Sequence, residues 1–159
     1  MENYLPYHRH SIRLKGYDYS NPGYYYITIC IDNRFNLLGN IENNIIKLSS
    51  FGEIAQNEWI NLTNRYKNIS LDRFIIMPNH LHGIIVIRNK SNISIGDVIS
   101  SFKTRTTRTY NKTYNIKGTR MWQKNYHEYV IRNEKELLIK RQYIMDNPLK
   151  WISDELYFI

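Results

Sequence analysis

The stretch Phe74-Ile75-Ile76-Met77-Pro78-Asn79-His80-Leu81-His82-Gly83-Ile84-Ile85-Val86-Ile87 constrains the fold of this chain more than any other. Two apolar runs rich in β-branched residues flank a Pro-Asn turn signal, which predicts strands at about 72–77 and 80–87. Successive side chains of a strand alternate between faces. His80 and His82 therefore share one face, while Leu81 points into a core on the other. Two imidazoles converging from a rigid strand form a metal-ligand arrangement, because neutral imidazole is a common ligand of divalent cations. A cation held there can polarise a phosphate oxygen. His-x-His also arises by chance, so a second element has to carry the argument.

That element lies near the C-terminus. Asn133 is placed to cap a helix over about 133–146, with Glu134 and Glu136 in its first turn and Pro148 beyond its end. At about 100° per residue, Leu137, Leu138, Ile144 and Met145 make one apolar stripe, and Tyr143 sits about 160° from its centre. Tyr143 is thus not an obvious core residue. Asn147 follows one turn later on the same face. The competing reading is a surface tyrosine, one of 14 in the chain, with Ile139 intruding on that face.

The remaining pattern predicts a strand at 24–31, a short extended segment at 45–48 and a helix at 52–66. A basic helix at 95–110 and a strand at 126–131 follow. The order β-α-β-β-α-β with a terminal helix suits an α+β, ferredoxin-like (RRM-like) antiparallel sheet with helices on one face and a C-terminal tyrosine-bearing helix. One domain over 1–159 is expected, with 1–20 as a basic N-terminal arm. No apolar run reaches the roughly 18 residues of a membrane helix, and the polar opening lacks a secretory leader, so a cytoplasmic location is expected. The single Cys30 rules out an intramolecular disulfide and a cysteine-based zinc site.

Charge points to a polyanionic partner. Lys and Arg number 22 against 14 acids, a formal net charge of +8. No acid occurs from Val98 to His127, while Lys103, Arg105, Arg108, Lys112, Lys117, Arg120 and Lys124 fall inside that stretch, interleaved with Tyr110, Tyr114, Trp122 and Tyr126. Cations for phosphates and aromatic faces for unstacked bases are the two parts of a single-strand channel. The bland alternative is a solvated basic face over core aromatics. Arg13 and Lys15 extend the basic character to the N-terminal arm. His8-Arg9-His10 repeats the histidine spacing, but its polar surroundings and the cationic Arg9 argue against a metal pair. His127 is open to two readings, a group near the active site or a hydrogen-bonded structural histidine.

The motifs Pro78-Asn79-His80-Leu81-His82-Gly83, Trp122-Gln123 followed by Tyr126-His127, Val130-Ile131-Arg132-Asn133, and Tyr143-Ile144 with Asn147-Pro148 occur in that order over about 13–151. Together they resemble the single-tyrosine HUH transposases, and within these the REP-associated tyrosine transposases. The resemblance implies cleavage of single-stranded DNA next to hairpins, through a 5′-phosphotyrosine and a free 3′-hydroxyl. It implies His80 and His82 as the paired histidines, Tyr143 as nucleophile, Asn147 as third metal ligand, and Mg²⁺ or Mn²⁺ as the metal. The insertion-sequence branch typically carries glutamine at the place of Asn147. The REP-associated branch implies a monomer and the insertion-sequence branch a homodimer with sites completed in trans.

The chemistry accounts for these residue types. A phenol with a pKa near 10 needs a base or a nearby cation to act as a nucleophile at neutral pH. The phosphotyrosine keeps a phosphodiester that a second 3′-hydroxyl can attack, so the reaction is transesterification and needs no nucleotide cofactor. Two rival classes make different predictions. A non-catalytic single-strand DNA or RNA binding module would not need the histidines and tyrosine, and a water-using phosphoesterase would survive Tyr143→Phe.

Overall fold

The apolar run beginning at Tyr24 forms β1, Gly23–Cys30, at the centre of a computed structural model that describes residues 13–154 and Leu156. His8, Arg9 and His10 lie outside the described residues. The chain continues through β2 (Gly39–Glu42), β3 (Ile45–Leu48), α1 (Ser50–Ile60), α2 (Leu62–Arg65), β4 (Ile69–Ile76) and β5 (His80–Ile87). It then forms α3 (Ile95–Tyr114), β6 (His127–Ile131) and α4 (Glu134–Asp146), with short 3-10 turns at Asp32–Arg34 and Asn147–Ser153. Four strands make an antiparallel sheet in the order β4-β5-β1-β6. This is the ferredoxin-like arrangement, with the first and third of the four sheet strands in the middle.

The alternation of β1 and β5 divides the sheet into two unlike faces. Tyr25, Ile27, Ile29, Leu81, Ile85 and Ile87 join Phe51, Trp59, Val98 and Phe102 of α1 and α3 in the main core. Gly83 belongs to this face, and a Cβ there would run into the Trp59 ring, so the glycine after His82 lets α1 close on the sheet. The opposite face carries a smaller apolar cluster of Tyr26, Ile84 and Ile131 with Leu137 and Ile144 of α4. α1 and α3 therefore cover one face, and α4 covers the other.

Several elements differ from expectation for identifiable reasons. The extended segment at 45–48 is half of a hairpin: Asn43 and Asn44, both with positive φ (52° and 62°), turn the chain back along β2. Consecutive left-handed residues match the twist of a two-residue hairpin, and asparagine tolerates them. The helix expected at 52–66 starts at Ser50 under the Ser49 cap and divides at Asn61. There the Thr63 hydroxyl donates to the Ile60 carbonyl and the Asn64 amide to Asn61 Oδ1, local bonds that compete with the helical ladder. α3 runs past Tyr110 to Tyr114 and stops at left-handed Asn115.

The apolar stripe expected on α4 is narrower than four residues. Leu137 and Ile144 are buried, but Leu138 and Met145 are 54% and 57% exposed. The sheet face beneath α4 has a polar centre, so the helix needs only a thin apolar contact beside it. Residues 13–20 are not a free arm either. Tyr17 and Tyr19 stack edge-on and pack against Tyr25, and Ile95 donates its N–H to the Tyr19 carbonyl.

Candidate active site

β5 holds His80 and His82 rigidly because it is a central strand hydrogen-bonded on both sides: His82 lies opposite Thr28 of β1 and Ile75 of β4. The two rings are 4.5 Å apart and fully buried. Each has its Nδ1 occupied. Asn79 Oδ1 is 2.7 Å from His80 Nδ1, while the Tyr26 hydroxyl and Thr28 Oγ1 are both 2.8 Å from His82 Nδ1. The Asn79 amide donates to the carbonyls of Arg34 and Leu156. Its oxygen must therefore face His80, and a carboxamide oxygen only accepts, so the proton sits on Nδ1 and the lone pair on Nε2.

That assignment agrees with what is left unpaired. His80 Nε2, His82 Nε2 and Asn147 Oδ1 are buried and have no hydrogen-bond partner among the described residues. Burial pushes His80 down to about 3, partly offset by the polar Asn147 side chain nearby. Burial also pushes His82 well below its ordinary value, helped by the neighbouring His80 and Lys140. Both imidazoles are neutral at pH 7, the form that binds metal.

Asp154 completes the group, since one ligand atom from each of His80, His82 and Asp154 lies within 4.8 Å of the others. Nothing in the sequence pattern singles out Asp154. It arrives because Pro148 starts a 3-10 turn over Asn147–Ser153 that bends the chain back over the sheet and lays Trp151 5.9 Å from His80, ring to ring. Two imidazole nitrogens with amide and carboxylate oxygens, three of these atoms otherwise orphaned, fit a divalent cation.

Tyr143 is on this face of the same chain. Its ring is 5.3 Å from that of His82 and 6.4 Å from that of Tyr26, and the residue is 44% exposed. A bidentate ion pair fastens α4 to the sheet: Arg141 Nε and a terminal guanidinium nitrogen lie 2.8 and 2.6 Å from the two Asp72 oxygens. Arg141 holds the Asp72 carboxyl below its usual range. Asp72 is available because β4 breaks register against β5 between Leu71 and Phe74. Lys140, which the sequence pattern does not single out either, extends over the rings of Tyr26 and Tyr129 at 4.5 and 4.8 Å. His127 is exposed on the same sheet face, opposite Thr28.

The basic residues are distributed differently from a single channel. A groove of about 980 Å³ runs between α3 and the 115–126 segment, on the side of the sheet away from the histidines, and Arg13, Lys103, Arg108, Lys112, Arg120 and Lys124 line it. Within it, Lys103 is a brace: its ammonium donates to the carbonyls of Gln123, Lys124 and Asn125, and burial pushes it down to about 8. Arg120 donates to the Trp122 carbonyl, and Arg13 reaches the buried Glu128. Arg105 turns away from the groove to Glu58 of α1. Trp122 is a core residue with its indole N–H on Thr106 and its ring against Phe51 and Phe102, so no face is open to a base. Arg108 and Lys112 line the groove without such ties among the described residues, and Lys15 is exposed outside it.

The model of the IS200-like transposase family matches residues 23–147. An uncharacterized Haemophilus influenzae protein is 38% identical over 170 residues, an alignment that covers 94% of this chain and 93% of that protein. Among solved structures, a REP-associated tyrosine transposase bound to a REP hairpin matches 87% of this chain and 73% of its own, with a TM-score of 0.59 and 20% identity. A Deinococcus radiodurans R1 protein described as a transposase candidate matches 84% of this chain and 95% of its own, with a TM-score of 0.53 and 15% identity. At these identities the two structures bear on the fold alone. No helix among the described residues is long and apolar enough to cross a membrane.

Proposed function

Because this chain belongs to the IS200-like transposase family, we propose that it cleaves and rejoins single-stranded DNA, with Tyr143 as the nucleophile. The observation that carries this reading is the placement of Tyr143 5.3 Å from His82, ring to ring, beside three orphaned ligand atoms. Tyr143 Oη bonds to the scissile phosphorus, the bond from phosphorus to the 3′-oxygen breaks, and that oxygen leaves as a 3′-hydroxyl. The 5′-phosphate stays on the tyrosine as a phosphodiester. A 3′-hydroxyl of another strand then displaces the phenolate, which rejoins the DNA.

His80 and His82 would hold a divalent cation with Asp154 and Asn147, and that cation supplies positive charge to a phosphate oxygen. Two imidazoles favour Mn²⁺ or a later transition metal over Mg²⁺, which prefers all-oxygen surroundings. Burial of the imidazoles excludes competing water, and the Asn79 bond at Nδ1 holds the His80 ring in the ligand tautomer. The site closes within one chain, which favours a monomer acting in cis. The groove on the opposite face suits DNA flanking the cleavage point, such as a hairpin stem, with Arg108 and Lys112 on its phosphates.

The test uses labelled single-stranded DNA from the flanks of the protein's own gene, including its hairpins, with Mn²⁺ or Mg²⁺. Wild type should give a denaturant-resistant protein–DNA adduct that chelator abolishes and that Tyr143→Phe does not form. Cleavage by Tyr143→Phe would replace this reading with hydrolysis by water.

A further inference from the structure

Lys140 is half-buried beside the candidate site with no described carboxylate paired to it. Glu136, one turn earlier on α4, exerts a Coulombic pull on Lys140 but forms no ion pair with it, its carboxylate being engaged by the Arg132 N–H at 2.8 Å and by the Tyr129 hydroxyl. The ammonium instead rests over two aromatic faces, Tyr26 at 4.5 Å and Tyr129 at 4.8 Å. Tyr26 joins it to the site, since its hydroxyl bonds His82 and its ring meets Tyr143 edge-on. At about 100° per residue, positions 140, 143 and 147 fall within roughly 60° of one another, so Lys140, Tyr143 and Asn147 share a helix face.

A partly desolvated cation is costly unless an anion arrives, and its field is stronger there than in water. Attack of a phenolate on a phosphodiester concentrates negative charge on two non-bridging oxygens and on the entering and leaving oxygens. One cation at the histidines meets only part of that charge. We propose that Lys140 is a second electropositive group of the reaction, which contacts a non-bridging oxygen of the scissile phosphate. It carries no proton step. The aromatic pair fixes its position, and with no ion pair to a described carboxylate its charge is available to the substrate.

This inference rests on the tyrosine chemistry proposed above. The experiment measures single-turnover adduct formation by wild type, Lys140→Met, and Lys140→Cys before and after alkylation with 2-bromoethylamine, which restores an ammonium at nearly the same reach. Lys140→Met should slow the step by about 10²-fold, the scale of losing one preorganised charge, and alkylation of the cysteine should recover most of the rate. Sulfur at one non-bridging position, tested as separate phosphorothioate diastereomers, should slow wild type at one diastereomer far more than Lys140→Met. Wild-type rates in Lys140→Met, or a loss that the restored ammonium does not mend, would overturn the proposal while the tyrosine reading stands. No adduct from wild type itself overturns both.

Discussion

Asn79 is the residue whose replacement most directly tests how the histidine pair is held. Its buried amide donates to the Arg34 carbonyl at 3.1 Å and the Leu156 carbonyl at 2.7 Å, and its oxygen accepts from His80 Nδ1 at 2.7 Å. Asn79→Ala removes three bonds at once. With a net contribution of about 0.5–1.5 kcal/mol for each, the expected loss of stability is about 2–4 kcal/mol. His80 is then free to place its proton on either nitrogen. Loss of such an outer partner typically costs about 10–100-fold in metal affinity. Asn79→Asp separates the two effects, because a carboxylate still accepts from Nδ1 but donates to neither carbonyl. It should lose stability like the alanine variant yet keep its tautomer and most of its metal affinity. Urea unfolding in chelator measures the first quantity, Mn²⁺ titration followed by electron paramagnetic resonance the second, and ¹⁵N-correlated imidazole spectra of metal-free protein the tautomer. Unchanged Mn²⁺ affinity in Asn79→Ala, with His80 still protonated at Nδ1, would refute the reasoning.

Other perturbations follow from the same geometry. Asp154→Ala and Asn147→Ala should each weaken Mn²⁺ binding more than folding, and an equal titration for either variant removes that residue from the ligand set. Arg108→Ala with Lys112→Ala should weaken binding across DNA sequences and lower the salt slope by about one for each phosphate that is no longer neutralised. Arg105→Ala should do less, because Arg105 is tied to Glu58, and the reverse order would move the DNA path off the groove. Burial holds His80 at about 3 against an ordinary 6.5. As pH falls below about 6.5 the unfolded chain takes up protons that the folded chain refuses, so metal-free stability should be full above that pH. It should decline below it by up to about 1.4 kcal/mol per pH unit for each such histidine. An equal urea midpoint at pH 7.5 and 5.5 would contradict this.

Much of the fold is legible from local periodicity. β5 matches its expected bounds because the Pro78-Asn79 turn sets its start and the β-branched run Ile84-Ile85-Val86-Ile87 carries it to its end, and α4 because Asn133 caps it and Pro148 ends it. The shared face of His80 and His82, and that of Tyr143 and Asn147, follow from strand and helix geometry. β2 escapes such a reading because Gly-Asn-Ile-Glu has little β character, and the Asn43-Asn44 turn that pairs it with β3 is its only strong signal.

What the chain encodes by itself is therefore each element and the face on which its polar side chains stand, because strand and helix periods are properties of the backbone. Distances between elements are not local properties, and the tertiary structure alone decided them. It brought Asp154 to the histidines through a turn with no ligand spacing, and it gave Lys140 to Tyr26 and Tyr129 instead of to solvent. It also buried Trp122, engaged Lys103 with three carbonyls, and put the basic groove on the far side of the sheet from Tyr143. The composition of 98–127 records that cations and aromatics are present. Which of them stay exposed depends on how α3 packs against β1, and that is settled only when the core closes.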